Sequence, residues 1–78
     1  MQQHAQQIRE HMEVLGADGV HVGVVDHMEG SSQIKLTKKD AKAGGSHHLI
    51  PVDWVDHVDA HVHLKKQSGE VLSQWKQA

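Results

Sequence analysis

The stretch Val20-His21-Val22-Gly23-Val24-Val25-Asp26-His27-Met28 decides the fold class. A residue period of two puts Val20, Val22, Val24 and Met28 on one face and His21, Gly23, Val25 and His27 on the other, the pattern of a half-buried β-strand. Working outward, Met12 and Val14 alternate with His11 and Glu13 from Ile8 onward, and Gly16-Ala17-Asp18-Gly19 joins that strand to the central one. On the other side, Glu29-Gly30-Ser31-Ser32 has turn chemistry, and Gln33-Ile34-Lys35-Leu36-Thr37 alternates again, predicting an antiparallel hairpin.

The remainder continues in short segments. Lys38 to Ser46 is charged, ends in Gly44-Gly45 and reads as an exposed loop. Strand character resumes at His47-His48-Leu49-Ile50 and stops at Pro51, which lacks the amide proton that a central ladder needs. Val52-Asp53-Trp54-Val55 reads as a turn or single helical turn able to plug one end of a barrel. Asp53, Asp56, His57 and Asp59 read as an acidic turn. Val62 and Leu64 belong to a last strand with His61 and His63 on its opposite face. Ser68 then caps a short helix, with Glu70 where the helix dipole favours an anion and Val71, Leu72 and Trp75 on one face.

Strands spaced about ten residues apart without intervening helices predict an all-β fold, a small antiparallel barrel with a short C-terminal helix. Its expected core is Val22, Val24, Ile34, Leu36, Ile50, Val62 and Leu64, with Trp54 packed on it. The chain divides into a flexible tail at 1–7, the strand domain at 8–66 and the helix at 67–78.

Composition narrows the function. At 78 residues the core is thin, and with no Phe, Tyr or Cys it rests on aliphatic side chains without a disulfide or thiolate. No apolar run is long enough to span a bilayer and Met1 to Gln7 is polar, so a cytoplasmic protein with no membrane partner is expected. The formal charge is −2, and Lys35, Lys38, Lys39 and Lys42 cluster only modestly, which argues against nucleic acid as a partner. No nucleophile motif or phosphate loop is present, so no enzyme activity is expected.

Nine histidines are the outlier. His61 and His63, at i and i+2, present two imidazoles from one strand face, and His47 or His48, with His57 or Asp59, could complete a site for zinc or another divalent transition metal. Mild acid would add charge at all of them.

Val14-Leu15-Gly16-Ala17-Asp18-Gly19, Val22-Gly23-Val24-Val25-Asp26, Ile50-Pro51-Val52-Asp53-Trp54-Val55 and His61-Val62-His63-Leu64 occur in a familiar order. Over roughly Ile8 to Lys66 the chain resembles a bacterial domain-of-unknown-function family, number 2171, and more distantly the PRC-barrel domains. That resemblance implies a PRC-barrel-like domain. It also implies an interaction role, since PRC barrels of a photosynthetic reaction-centre subunit and of a ribosome-maturation factor are not catalytic. The expected function is therefore a protein-interaction or homo-oligomerisation module, with a His-rich metal-binding or pH-responsive protein as the alternative. A dimer is the expected assembly, through Val25, Val71, Leu72 and Trp75; an unknown protein partner is the alternative on this reading.

Overall fold

The structure is a computed structural model that describes residues 7–40 and 44–77; all of the expected tail at 1–7 but Gln7, Lys42 of the basic cluster and Ala78 lie outside the described residues. Among the described residues the chain forms one seven-stranded sheet with a short helix between its last two strands, and the sheet is not closed into a barrel. Strand β2 (His21–Glu29) is its spine. It pairs antiparallel with β1 (Glu13–Leu15) on one side and with β3 (Gln33–Leu36) on the other, the latter through the expected hairpin, whose Gly30 takes φ 65°.

Beyond β3 lie β4 (His48–Pro51) and a two-residue strand β7 (Lys76–Gln77); beyond β1 lie β6 (Val62–Leu64) and β5 (Val55–Val58). The order is β5-β6-β1-β2-β3-β4-β7. All pairs are antiparallel except β1–β6, where Val14 aligns with Val62 in parallel, so the expectation of a wholly antiparallel sheet is corrected. Two further corrections concern strands that the sequence hides. Asp56 and His57 lie on β5 and not in a turn, and Lys76–Gln77 leaves the helix to pair with β4.

Strands β4 and β5 are joined only by the 3-10 turn Val52–Trp54, yet five strand spacings separate them in the sheet order. In a flat sheet that is about 24 Å at about 4.8 Å per strand, whereas the connection reaches only about 14 Å. The sheet must therefore curl, and the core fills the curl.

Val22, Ile34, Leu36, Ile50, Val62 and Leu64 are buried as expected, joined by Val14, Val52, Val55 and others; Trp54 is half-buried against them. Val24 is only half-buried, and Val25 takes its place in the core at 1% exposure. The cause is two β-bulges in β2, one leaving Val22 as the extra residue opposite Val14/Leu15 and one leaving Asp26 extra opposite Lys35/Leu36. Each inserts one residue and shifts the side-chain phase, so uniform alternation fails along β2.

Helix α1 (Ser68–Gln74) is capped by Gln67, one residue before the expected Ser68, in a capping box with Glu70. The Ser68 hydroxyl instead donates to Asp18 at 2.8 Å. The β1–β2 turn approaches this helix start so closely that a Cβ on Gly16 would lie 2.6 Å from the Ser68 amide nitrogen. Val71 plugs the core from the helix, fully buried. Among the described residues no helix is long and apolar enough to cross a membrane.

A histidine and carboxylate cluster as the candidate functional site

The β5–β6 hairpin aligns His57 directly with His63, so both side chains leave the same face. Their rings stack, with centroids 4.2 Å apart and planes 9° from parallel. Asp59, in the hairpin loop, is fixed by its own local turn: its carboxylate accepts the His61 amide at 2.8 Å, and its amide donates to the His61 carbonyl at 3.0 Å. Asp59 Oδ1 then lies 2.9 Å from His63 Nε2, and Oδ2 lies 3.9 Å from His57 Nε2. One candidate ligand atom from each of His57, Asp59 and His63 falls within 4.8 Å of the others.

Two features prepare this cluster for a cation. The His61 amide, with help from the His63 hydrogen bond, holds the Asp59 carboxyl below its ordinary value, so it is an anion at neutral pH. On the far side of the ring, His57 Nδ1 lies 2.8 Å from Asp56 Oδ2. Donation of Nδ1–H to that carboxylate selects the tautomer with a free lone pair on Nε2, the arrangement that orients metal-binding imidazoles. A cleft of about 380 Å³ adjoins the two rings, walled by the Gly16–Gly19 turn and Lys65.

The chain matches, over residues 8–72, the family described as an uncharacterized protein conserved in bacteria (DUF2171). It belongs to that family. No curated protein matches it. The matched span of this DUF2171 member contains the whole cluster and stops before Trp75 and β7.

Of the residues expected to hold a metal, the cluster brings together His63, His57 and Asp59. His61 and His63 do share a face of β6, with rings edge-on at 6.1 Å, but His47 and His48 belong to other contacts on the β3–β4 side. His47 Nδ1 lies 3.2 Å from the Leu36 carbonyl oxygen. His48 is buried and stacked on Trp75 at 3.9 Å; its Nδ1 has no partner among the described residues. His57 and Asp59 take their places. Sequence reading offered these two only as possible additions, because Asp-rich 53–59 resembles a turn and conceals that His57 is on a strand opposite His63.

From His61 the polar face continues across the sheet. His61 Nε2 is 3.3 Å from Glu13 Oε1, Glu13 Oε2 is 2.7 Å from His21 Nδ1, and His21 Nε2 is 2.6 Å from Asp40 Oδ1. With a carboxylate at each ring nitrogen, His21 donates to both only as an imidazolium. Partial burial works to lower its pKa, but the hydrogen bonds and charges of Glu13 and Asp40 outweigh that and hold it above the ordinary 6.5.

Two of the four residues expected at an interface lie in the core. Val25 and Val71 are buried in the chain's own core at 1% and 0% exposure, and Leu72 and Trp75 are half-buried. A larger cleft, of about 530 Å³, lies between His11, Val24, Thr37 and His47, away from the cluster.

Proposed function

We propose that this chain is a small non-catalytic interaction module whose histidine face takes up a divalent transition-metal ion through His57, Asp59 and His63. The observation that carries the reading is the convergence of three ligand atoms within 4.8 Å. Two imidazoles and one carboxylate suit zinc, nickel or copper better than calcium or magnesium, which prefer all-oxygen shells. The Asp56–His57 hydrogen bond supports the same reading, since it supplies the outer-shell partner that metal-binding histidines have. The curled sheet supports a PRC-barrel-like description, with a seam left open between the outermost strands, and the absence of cysteine suits a reducing cytoplasm.

The test is a zinc or nickel titration of tag-free protein, followed by calorimetry and by the histidine ring resonances. Saturable uptake that shifts His57 and His63, is lost in His57→Ala and in His63→Ala, and survives in His47→Ala supports the site. Undiminished uptake by the His57→Ala/His63→Ala double variant overturns it.

A further inference from the structure

The larger cleft, of about 530 Å³, has the size of a small-molecule site and lies apart from the metal cluster. Val24, which the bulges of β2 leave half-buried, gives it an apolar wall; Lys38, Lys39, His11 and His47 also line it.

His11 takes its place there against the preference of the backbone. The Met12 amide donates to the Arg9 carbonyl at 3.3 Å, closing a turn with His11 at its third position. The φ of His11 is 69°, a value that favours glycine at this place in a turn, and no other non-glycine residue among the described residues has a positive φ. Two backbone hydrogen bonds hold the turn to β2: the His11 amide donates to the Val25 carbonyl at 2.8 Å, and the Val25 amide donates to the Met12 carbonyl at 2.9 Å. An imidazole thus lines the cleft from a position that suits a residue with no side chain, the kind of local strain that collects at binding sites.

Charge selects the ligand. Asp26 and Asp40 also line the cleft, but each already holds an imidazole: Asp26 Oδ2 lies 2.8 Å from His27 Nδ1, and Asp40 Oδ1 lies 2.6 Å from Nε2 of the His21 imidazolium. Lys38 and Lys39 have no carboxylate at ion-pair distance among the described residues. The Thr37 hydroxyl accepts the Lys39 amide at 3.2 Å, which leaves its O–H to donate. Two ammonium groups and a hydroxyl donor beside an apolar wall suit an anion with an aliphatic body.

We propose that this cleft binds a small organic anion, its carboxylate or phosphate group held by Lys38, Lys39 and His11 and its aliphatic part against Val24.

Magnetic resonance titration of the tag-free full chain in chelator, with isovalerate, isopentyl phosphate and isopentylamine, tests this. The expected result is saturable movement of the Val24 methyl and His11 ring signals by an anion, with the amine weaker by about tenfold or more. The tighter of the two anions tells a carboxylate ligand from a phosphate ester. Lys38→Gln/Lys39→Gln should weaken the anion by about tenfold, whereas Lys35→Gln/Lys76→Gln, which removes equal charge elsewhere, should leave it within about twofold. His11→Gly should melt no lower than the parent, since glycine relieves the backbone, and yet bind the anion several-fold more weakly. An amine that binds as tightly as the anions overturns the ligand class. Absence of saturable movement with both anions, or an equal fall in the two lysine double variants, overturns the site. A His11→Gly protein that melts lower than the parent, or binds as tightly, overturns the part given to His11.

Discussion

His57 and His63 stand face to face across the β5–β6 pair, with ring centroids 4.2 Å apart, while Asp56 holds the far nitrogen of His57 at 2.8 Å. Stacking sets the distance between the two imidazoles, and Asp56 sets which nitrogen of His57 faces Asp59. Removing that outer carboxylate should therefore weaken metal binding without unfolding the protein. For Asp56→Ala we expect zinc affinity to fall by about 10- to 100-fold, with stability within about 0.5 kcal/mol of the parent. Calorimetric titration and thermal melting measure the two effects, and unchanged affinity would show that Asp56 does not orient the ring.

Neighbouring valines on β2 should respond in opposite ways. Val25 is packed at 1% exposure opposite Leu36, while Val24 is half-buried opposite Glu13. Val25→Ala should cost about 1.5–3 kcal/mol and Leu36→Ala about 2–5 kcal/mol, with Val24→Ala well below either. Urea unfolding provides the values. A larger cost at Val24 than at Val25 would refute the phase that the bulges impose.

Gly16 and Asp18 tie the β1–β2 turn to the start of α1. A methyl on Gly16 has no room against the Ser68 backbone, so Gly16→Ala should destabilise by about 1–3 kcal/mol. Asp18 accepts the Ser68 hydroxyl and amide, and the hydroxyl contact is the largest cause of its lowered pKa. A depressed carboxyl contributes stability above its unfolded pKa and loses it as pH falls through the folded value. The parent's advantage over Asp18→Ala should hold at pH 5 to 7 and shrink only below the ordinary 3.8. An advantage that persists unchanged in stronger acid would count against the tie.

His21 has the opposite sign. Its folded pKa lies above 6.5, so its contribution is fully present below that value and is lost as pH rises through the folded pKa. Chemical denaturation of the parent and of His21→Gln should show a wider stability gap at pH 5.5 than at pH 8.5. A gap that widens with pH would mean that the neutral ring is the folded form.

Much of this architecture is legible in the order of residues, and the failures have local causes. The β2–β3 hairpin, the stop at Pro51, the 3-10 turn and the C-terminal helix follow from turn glycines, a missing amide proton and a helical apolar face. Six of the seven expected core residues are buried. The exception, Val24, fails because alternation assumes unbroken pairing, and β2 departs from it at Val22 and Asp26. Part of the candidate site was equally visible in the i, i+2 spacing of His61 and His63. Its other half, His57 and Asp59, was offered only as a set of alternatives, since Asp53, Asp56 and Asp59 give the stretch the composition of a turn and hide the strand that carries His57.

By itself, then, the sequence determined the β class, most of the strands, the aliphatic core and an unusual supply of imidazoles. These depend on neighbours in the chain: period-two alternation, turn residues and side-chain chemistry. Only the tertiary structure decided that β1 and β6 run parallel, that the sheet curls without closing, that Val25 points inward, and that His57, Asp59 and His63 converge while His47 and His48 do not. Those outcomes depend on which strands pair and in what register. A one-residue bulge reverses the face of every side chain beyond it, and strands distant in sequence meet only when burial of the common core brings them together.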